Sequence, residues 1–392
     1  MDGNADMNLS MHPLWLVGFR PFFALACFSG LALPLLWVLI YRGLLPAPDT
    51  SFAAVQWHAH EMFFGFGWAV LGGFLLTATK NWVQVRGYHG VALMYLVAAW
   101  LFERIGMWSG GGWPSWLFEL SNNLFLGSIT AMLAWTLLRY RKQDDYRDNY
   151  FFLLIFPAFL LAKQLLLDPG HFQAGVVMAT GLFRMAFLVM LERTLTQFMK
   201  NVFQASILRH EMLDRTIKLL ALLLVGAGFL PAALAGGISL LLALLLTARF
   251  IFWKPQLAMR RLELGIMYLG YIGIVLQLLI EALGAFAAPH WVGALSVHVF
   301  GLGVMGLIIP AMLIRIARGH TGRKVAFDGV DKLVLWIMIF AFVLRVIAPQ
   351  IDAAAYSLWI LLAACGWLCG FTILALRLIP LLLKARVDGK EH

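Results

Sequence analysis

Runs of about twenty apolar residues, separated by short charged loops, recur from residue 15 to residue 379. A run of that length crosses the hydrocarbon core as one α-helix. Lipid allows little else, because each backbone N–H and C=O must be satisfied within the segment. The chain is therefore predicted to be an all-α, polytopic integral membrane protein. Twelve transmembrane helices are expected, at roughly 15–40, 55–78, 90–109, 115–138, 150–168, 172–192, 216–235, 237–253, 264–286, 291–314, 331–348 and 355–379. They fill residues 1–392 as a single transmembrane helical domain. Composition agrees: 62% of residues are hydrophobic and 13% charged, against about 45–50% and about 25% in soluble domains.

The net charge of +10 would suggest a nucleic-acid partner in a soluble protein. Here the cations fall in alternate loops. Lys80 and Arg86 follow the second run, and Arg139, Arg141, Lys142 and Arg147 the fourth. Arg193, Lys200, Arg209, Arg215 and Lys218 follow the sixth, and Lys254, Arg260 and Arg261 the eighth. Arg315, Arg318, Arg323, Lys324 and Lys332 follow the tenth, and Lys384, Arg386 and Lys390 the last. The other loops hold essentially Arg42 alone. By the positive-inside rule both termini are cytoplasmic, and the lipid bilayer rather than nucleic acid is the partner. The first ten residues carry Asp2 and Asp6 and no basic leader, so the first run is expected to direct insertion. No glycine-rich loop in a nucleotide-binding strand-to-helix context and no Cys-x-x-Cys-His motif occurs.

The second run opens on Trp57-His-Ala-His-Glu-Met62. Lipid penalises ionisable groups unless they pair or bind a ligand, so His58, His60 and Glu61 at one helix mouth need a reason. With the predicted topology they lie at the outer end of their helix. His298 lies several residues into a run that also starts outside. Glu103, Arg104, Glu281 and Arg345 bring charge to the same half, and Lys163 and Arg184 are also intramembrane. One reading is a metal or haem site, with His58, His60 and His298 as ligands and Arg104 and Arg345 neutralising haem propionates. The other is an ion-pair network, such as Glu103 or Glu281 with Arg345. Residues two apart on a helix point about 200° apart, so His58 and His60 cannot both face one metal from a regular helix. Glu61 would orient a ligand or relay protons. His60-Glu-Met-Phe-Phe-Gly-Phe-Gly and His298-Val-Phe-Gly-Leu-Gly are faintly alike.

On the predicted cytoplasmic side stand His12-Pro13, Gly18-Phe-Arg20-Pro21-Phe-Phe and Gly319-His320-Thr321-Gly322-Arg323. By spacing alone these are turns and snorkelling cations. His12 is retained as a further candidate metal ligand.

Taken together, Gly18-Phe-Arg-Pro-Phe-Phe23, Trp57-His-Ala-His-Glu-Met62, Gly73-Phe-Leu-Leu-Thr-Ala78, Asn81-Trp82, His298, Gly303-Val-Met-Gly306 and Gly319-His-Thr-Gly-Arg323 resemble the NnrS family, in the expected order over nearly the whole chain. The resemblance implies a bacterial inner-membrane protein that holds haem and copper and serves nitric oxide metabolism, denitrification and resistance to nitrosative stress. It makes Arg20, His320 and Arg323 candidates for cofactor binding. Without a covalent attachment motif, the haem is expected to be haem b. The expected function is binding and reduction or detoxification of nitric oxide, with Glu61 as a catalytic proton relay and an unidentified electron donor. The alternatives are a transporter of a metal, metal–nitrosyl complex or small solute, and a haem-binding sensor or assembly protein without turnover.

Overall fold

The computed structural model describes residues 9–144, 146 and 149–389. Asp2, Asp6, Arg147, Lys390 and His392 lie outside them. No strand occurs among the described residues, and the chain is helical almost throughout. The long helices are α1 (Phe19–Tyr41), α2 (Ala54–Trp82), α3 (Val91–Ser109), α4 (Ser115–Arg139), α5 (Tyr150–Leu167), α6 (Phe172–Phe203), α7 (Glu211–Leu223), α8 (Ala232–Phe252), α9 (Leu262–Phe286), α10 (Leu295–His320), α11 (Gly329–Ile351) and α12 (Tyr356–Leu382). Among the described residues nine helical stretches are long and apolar enough to cross a membrane: α1, α2, Val91–Gly112, α6, α8, α9, α10, α11 and α12. This is a multi-pass membrane protein.

The boundary between the runs expected at 216–235 and 237–253 is displaced. α7 ends in a tight 3-10 turn, Leu224–Phe229, and the chain restarts after Pro231, leaving Gly236 and Gly237 inside α8. Proline, which lacks an N–H, terminates more effectively than two glycines that lipid forces to keep their hydrogen bonds. The segment between the sixth and seventh expected runs is largely helix. α6 runs on to Phe203 and stops where Gln204 turns left-handed, at φ 51°.

The residues group into two compact units. The first comprises α1–α5 with Leu313–Ala326 and the stretch from Phe371 onward; the second comprises Gly170–Met312 and Phe327–Gly370. In the first unit, α1 lies against α2 where small residues permit it: a Cβ on Gly73 would fall 2.8 Å from that of Phe22. The Thr77 hydroxyl accepts from the Phe19 N–H at 2.9 Å and caps α1. Gln56 joins the start of α2 to the end of α5, its amide donating to Leu167 O at 2.9 Å and Leu166 O at 3.3 Å. In the second unit, Gly273 of α9 approaches the backbone of Gly303 in α10 so closely that an added Cβ would lie 2.7 Å from the Gly303 carbonyl oxygen.

Three helices widen locally into π-helix: Glu61–Gly67 in α2, Val299–Met305 in α10 and Val343–Ile347 in α11. The extra residue per turn shifts the backbone hydrogen bonds and re-aims side chains, which is why such turns gather at functional sites. Two of the three begin immediately after His60 and His298.

Candidate functional site

His60 is fully buried. Its Nδ1 lies 3.1 Å from Glu61 Oε1, and its Nε2 lies 3.4 Å from Glu103 Oε1 and 3.3 Å from the Asn122 amide nitrogen. Arg104 bridges both carboxylates, with Nε 3.0 Å from Glu61 and Nη2 3.3 Å from Glu103. Lys163 of α5 donates to Glu103 at 2.8 Å and to the Asn122 carbonyl. Two carboxylates and two cations stand around the imidazole. Buried charges demand this closure, since an unpaired ion in lipid costs several kcal/mol. The π-turn contributes as well: Trp100 donates its indole N–H to Gly65 O at 3.1 Å, and Arg104 packs over the Trp100 ring at 5.1 Å.

The cluster is an exchangeable-proton network. Glu61, His60, Glu103 and Lys163 are each within hydrogen-bonding or ion-pair reach of the next, and the imidazole can accept on one nitrogen while it donates from the other. As a metal site it is already satisfied. Both ring nitrogens have protein partners, and Arg104 is committed to two carboxylates.

His298, in the second unit, is only half-buried. Its Nδ1 donates to the Ala294 carbonyl at 2.7 Å. That bond fixes the ring and makes Nε2 the acceptor nitrogen, the tautomer that ligating histidines use. Nε2 accepts from Arg345 Nη2 at 3.2 Å, a bond that any ligand would have to displace. Arg345 reaches the Tyr356 hydroxyl at 3.4 Å and lies 5.6 Å from that ring's centre. Among the described residues no carboxylate pairs with Arg345. Glu281, which the sequence offered as its partner, pairs instead with the buried Arg184 at 3.3 Å, in a group with Gln277 and Ser296. Glu103, the other offered partner, is taken by Lys163 and Arg104.

The remaining candidates have other surroundings. His58 stacks on Trp37, with ring centres 4.2 Å apart and planes 14° apart, on a different face from His60 as the helical period requires. His12 caps a short turn, its Nδ1 accepting from the Leu14 N–H at 3.2 Å. Arg20 is buried and donates to Leu382 O and Lys384 O, both at 2.7 Å. It thereby satisfies carbonyls that the end of α12 leaves unpaired. The His320 ring lies against Phe19 at 5.4 Å, and its carbonyl accepts from Arg386. Arg323 lines a cavity at the ends of α10 and α12. Among the described residues no three His, Cys, Asp or Glu side chains converge as a metal-binding group.

One cluster escaped the sequence reading. In the second unit Glu192 and Asp214 receive Arg209, Lys218 and Arg249, and Arg249 donates to the Tyr271 hydroxyl at 3.0 Å. Arg209 and Lys218 had passed as loop cations. The signal available was Asp214 and Lys218 four apart on one helical face.

Compared with known families, residues 13–386 match the family model described as NnrS protein. A comparison with curated proteins found no match.

Proposed function

The chain belongs to the NnrS family, and from that premise we propose that it is a haem-binding protein of the bacterial inner membrane that binds nitric oxide and reduces or detoxifies it. Family membership makes it a nitric oxide-related membrane protein; the chemistry is our reading. We assign it twelve crossings with both termini cytoplasmic, on the strength of the alternating loop cations.

The observation that carries the proposal is the setting of His298. A haem needs an imidazole held by its far nitrogen and a cation for its propionates. His298 is anchored through Nδ1 to Ala294 O, and Arg345 stands beside Nε2 without a carboxylate of its own. The chemistry of these residues suits haem b: His298 would hold its iron, and Arg345 and the Tyr356 hydroxyl would hold a propionate. Bound there, haem would supply an iron that binds nitric oxide and accepts electrons from an external donor. For copper, which the family resemblance also implies, no three His, Cys, Asp or Glu side chains converge among the described residues, and no step here runs through it.

The protein's own residues do the rest. Arg345 would neutralise charge and fix orientation. Reduction of two nitric oxide molecules to nitrous oxide and water consumes two electrons and two protons. We assign the His60 network the handling of those protons, with Glu61 and Glu103 holding the imidazole between them.

The test is an optical spectrum of purified protein, oxidised and dithionite-reduced, before and after nitric oxide, with metal analysis. A reducible b-type Soret band that shifts with nitric oxide supports the assignment. A flat visible spectrum from cells supplied with ample haem and copper overturns it and favours the transporter. Nitric oxide binding that never leads to consumption with a donor present makes the protein a sensor.

A further inference from the structure

A half-open cavity of about 350 Å³ lies at the ends of α10 and α12 in the first unit, lined by Arg318, Arg323, Lys324, Arg377, Leu378 and Leu381. Four of its six lining residues are cations, and no carboxylate is among them. At about 30 Å³ per water it has room for roughly ten waters. Four like charges around one hollow repel one another, and an anion in the hollow relieves that repulsion.

Cations at helix C-termini are common because the helix dipole favours them. Two observations go beyond that. The Arg323 Nη1 atom is buried without a hydrogen-bond partner among the described residues. Further, two leucines form the remaining wall, so the hollow is cationic on one side and apolar on the other. Asp388, which packs against Gly322 in the adjoining turn, is engaged by Arg386 through both carboxylate oxygens, at 2.8 and 2.6 Å. Arg318 also donates to the Ala326 carbonyl and so braces the loop that carries Arg323 and Lys324.

We propose that the hollow formed by Arg318, Arg323, Lys324 and Arg377 is a binding site for a phosphate-ester anion. Guanidinium groups match phosphate oxygens in geometry and charge. Basic pockets at the ends of membrane helices suit anionic lipid headgroups, and Leu378 and Leu381 would meet the glycerol and the first acyl carbons. The two sources of that chemistry are a phospholipid headgroup and a soluble phosphate ester.

The experiment uses the full-length protein reconstituted in nanodiscs that contain phosphatidylcholine with or without phosphatidylglycerol. Lipid retained after detergent exchange is counted by native mass spectrometry. Preferential retention of phosphatidylglycerol is expected. It should fall about fivefold for each cation neutralised in Lys324→Gln, Arg323→Gln and the double variant. Lys324 is exposed, so that variant keeps the test valid should Arg323→Gln fail to fold. Retention undisturbed by millimolar inorganic phosphate, or by a soluble phosphate monoester, assigns the site to lipid. Displacement by either assigns it to a soluble phosphate ester. Equal retention of both lipids, with no phosphate binding and no change in the variants, overturns the proposal.

Discussion

His60 and His298 occupy matching places, each the last residue before a π-helical segment and each held by Nδ1, yet their surroundings are opposite. His60 is fully buried in a network of two carboxylates and two cations, and both of its nitrogens are engaged. His298 is half-buried, its ring fixed through Nδ1 and its Nε2 accepting from an arginine that no described carboxylate answers. The same local device thus builds a closed site in one unit and an open one in the other. Around His60 two carboxylates and two cations hold one another in place, whereas at His298 a single arginine must turn aside from Nε2 before a ligand can reach it, and it would then offer a counter-charge. The partner of Nδ1 does not decide this, because Glu61 and Ala294 O both accept. The neighbours of Nε2 decide it.

The largest effect should come from opening the closed site. Lys163→Met leaves Glu103 with less positive charge in the buried core and should cost about 3–5 kcal/mol. Thermal unfolding in detergent checks this. The double variant Lys163→Met/Glu103→Gln should recover part of the loss, and additive losses would show that the two groups are not coupled. Next is the open site. His298→Ala should abolish the b-type Soret band with little change in unfolding temperature, whereas unchanged haem content would remove His298 as a ligand. Arg345→Gln should retain haem but weaken it about tenfold or more, by loss of a charge-assisted contact. Haem titration of the apoprotein measures this, and Arg345→Lys should restore part of the affinity. The smallest effect belongs to His58→Ala, which removes a stack on Trp37 worth roughly 1 kcal/mol and should leave the spectrum unaltered. A lost Soret band in that variant would transfer ligation to the other face of α2.

Much of this comparison was legible in the residues. The two histidine motifs look faintly alike in sequence, and the 3.6-residue period separates His58 from His60. That Glu103, Lys163 and Arg104 need partners follows from their place in apolar runs. The pairings were not legible. Arg345 was matched with Glu103 or Glu281, but Glu103 is neutralised from α3 and α5, and Glu281 from α6. Any of several cations satisfies a buried carboxylate equally well, so charge alone cannot rank them. Arg20 was legible as unusual and illegible in role, because its acceptors lie more than 360 residues away in sequence. The turns at Leu230-Pro231 and Gln204 were missed for a local reason: hydropathy does not register a missing N–H or a left-handed residue.

By itself the sequence determined the helical membrane class, the places of nearly all the helices, the family and the roster of ionisable groups that lipid would not tolerate alone. Those follow from short-range physics, in which backbone groups must be satisfied within a segment and each apolar residue adds to insertion independently. Only the tertiary structure decided which histidine is closed and which is open, which arginine caps a distant helix and which line a basic hollow. Those depend on side chains from separate helices meeting within about 3–4 Å, the range over which hydrogen bonds and ion pairs form.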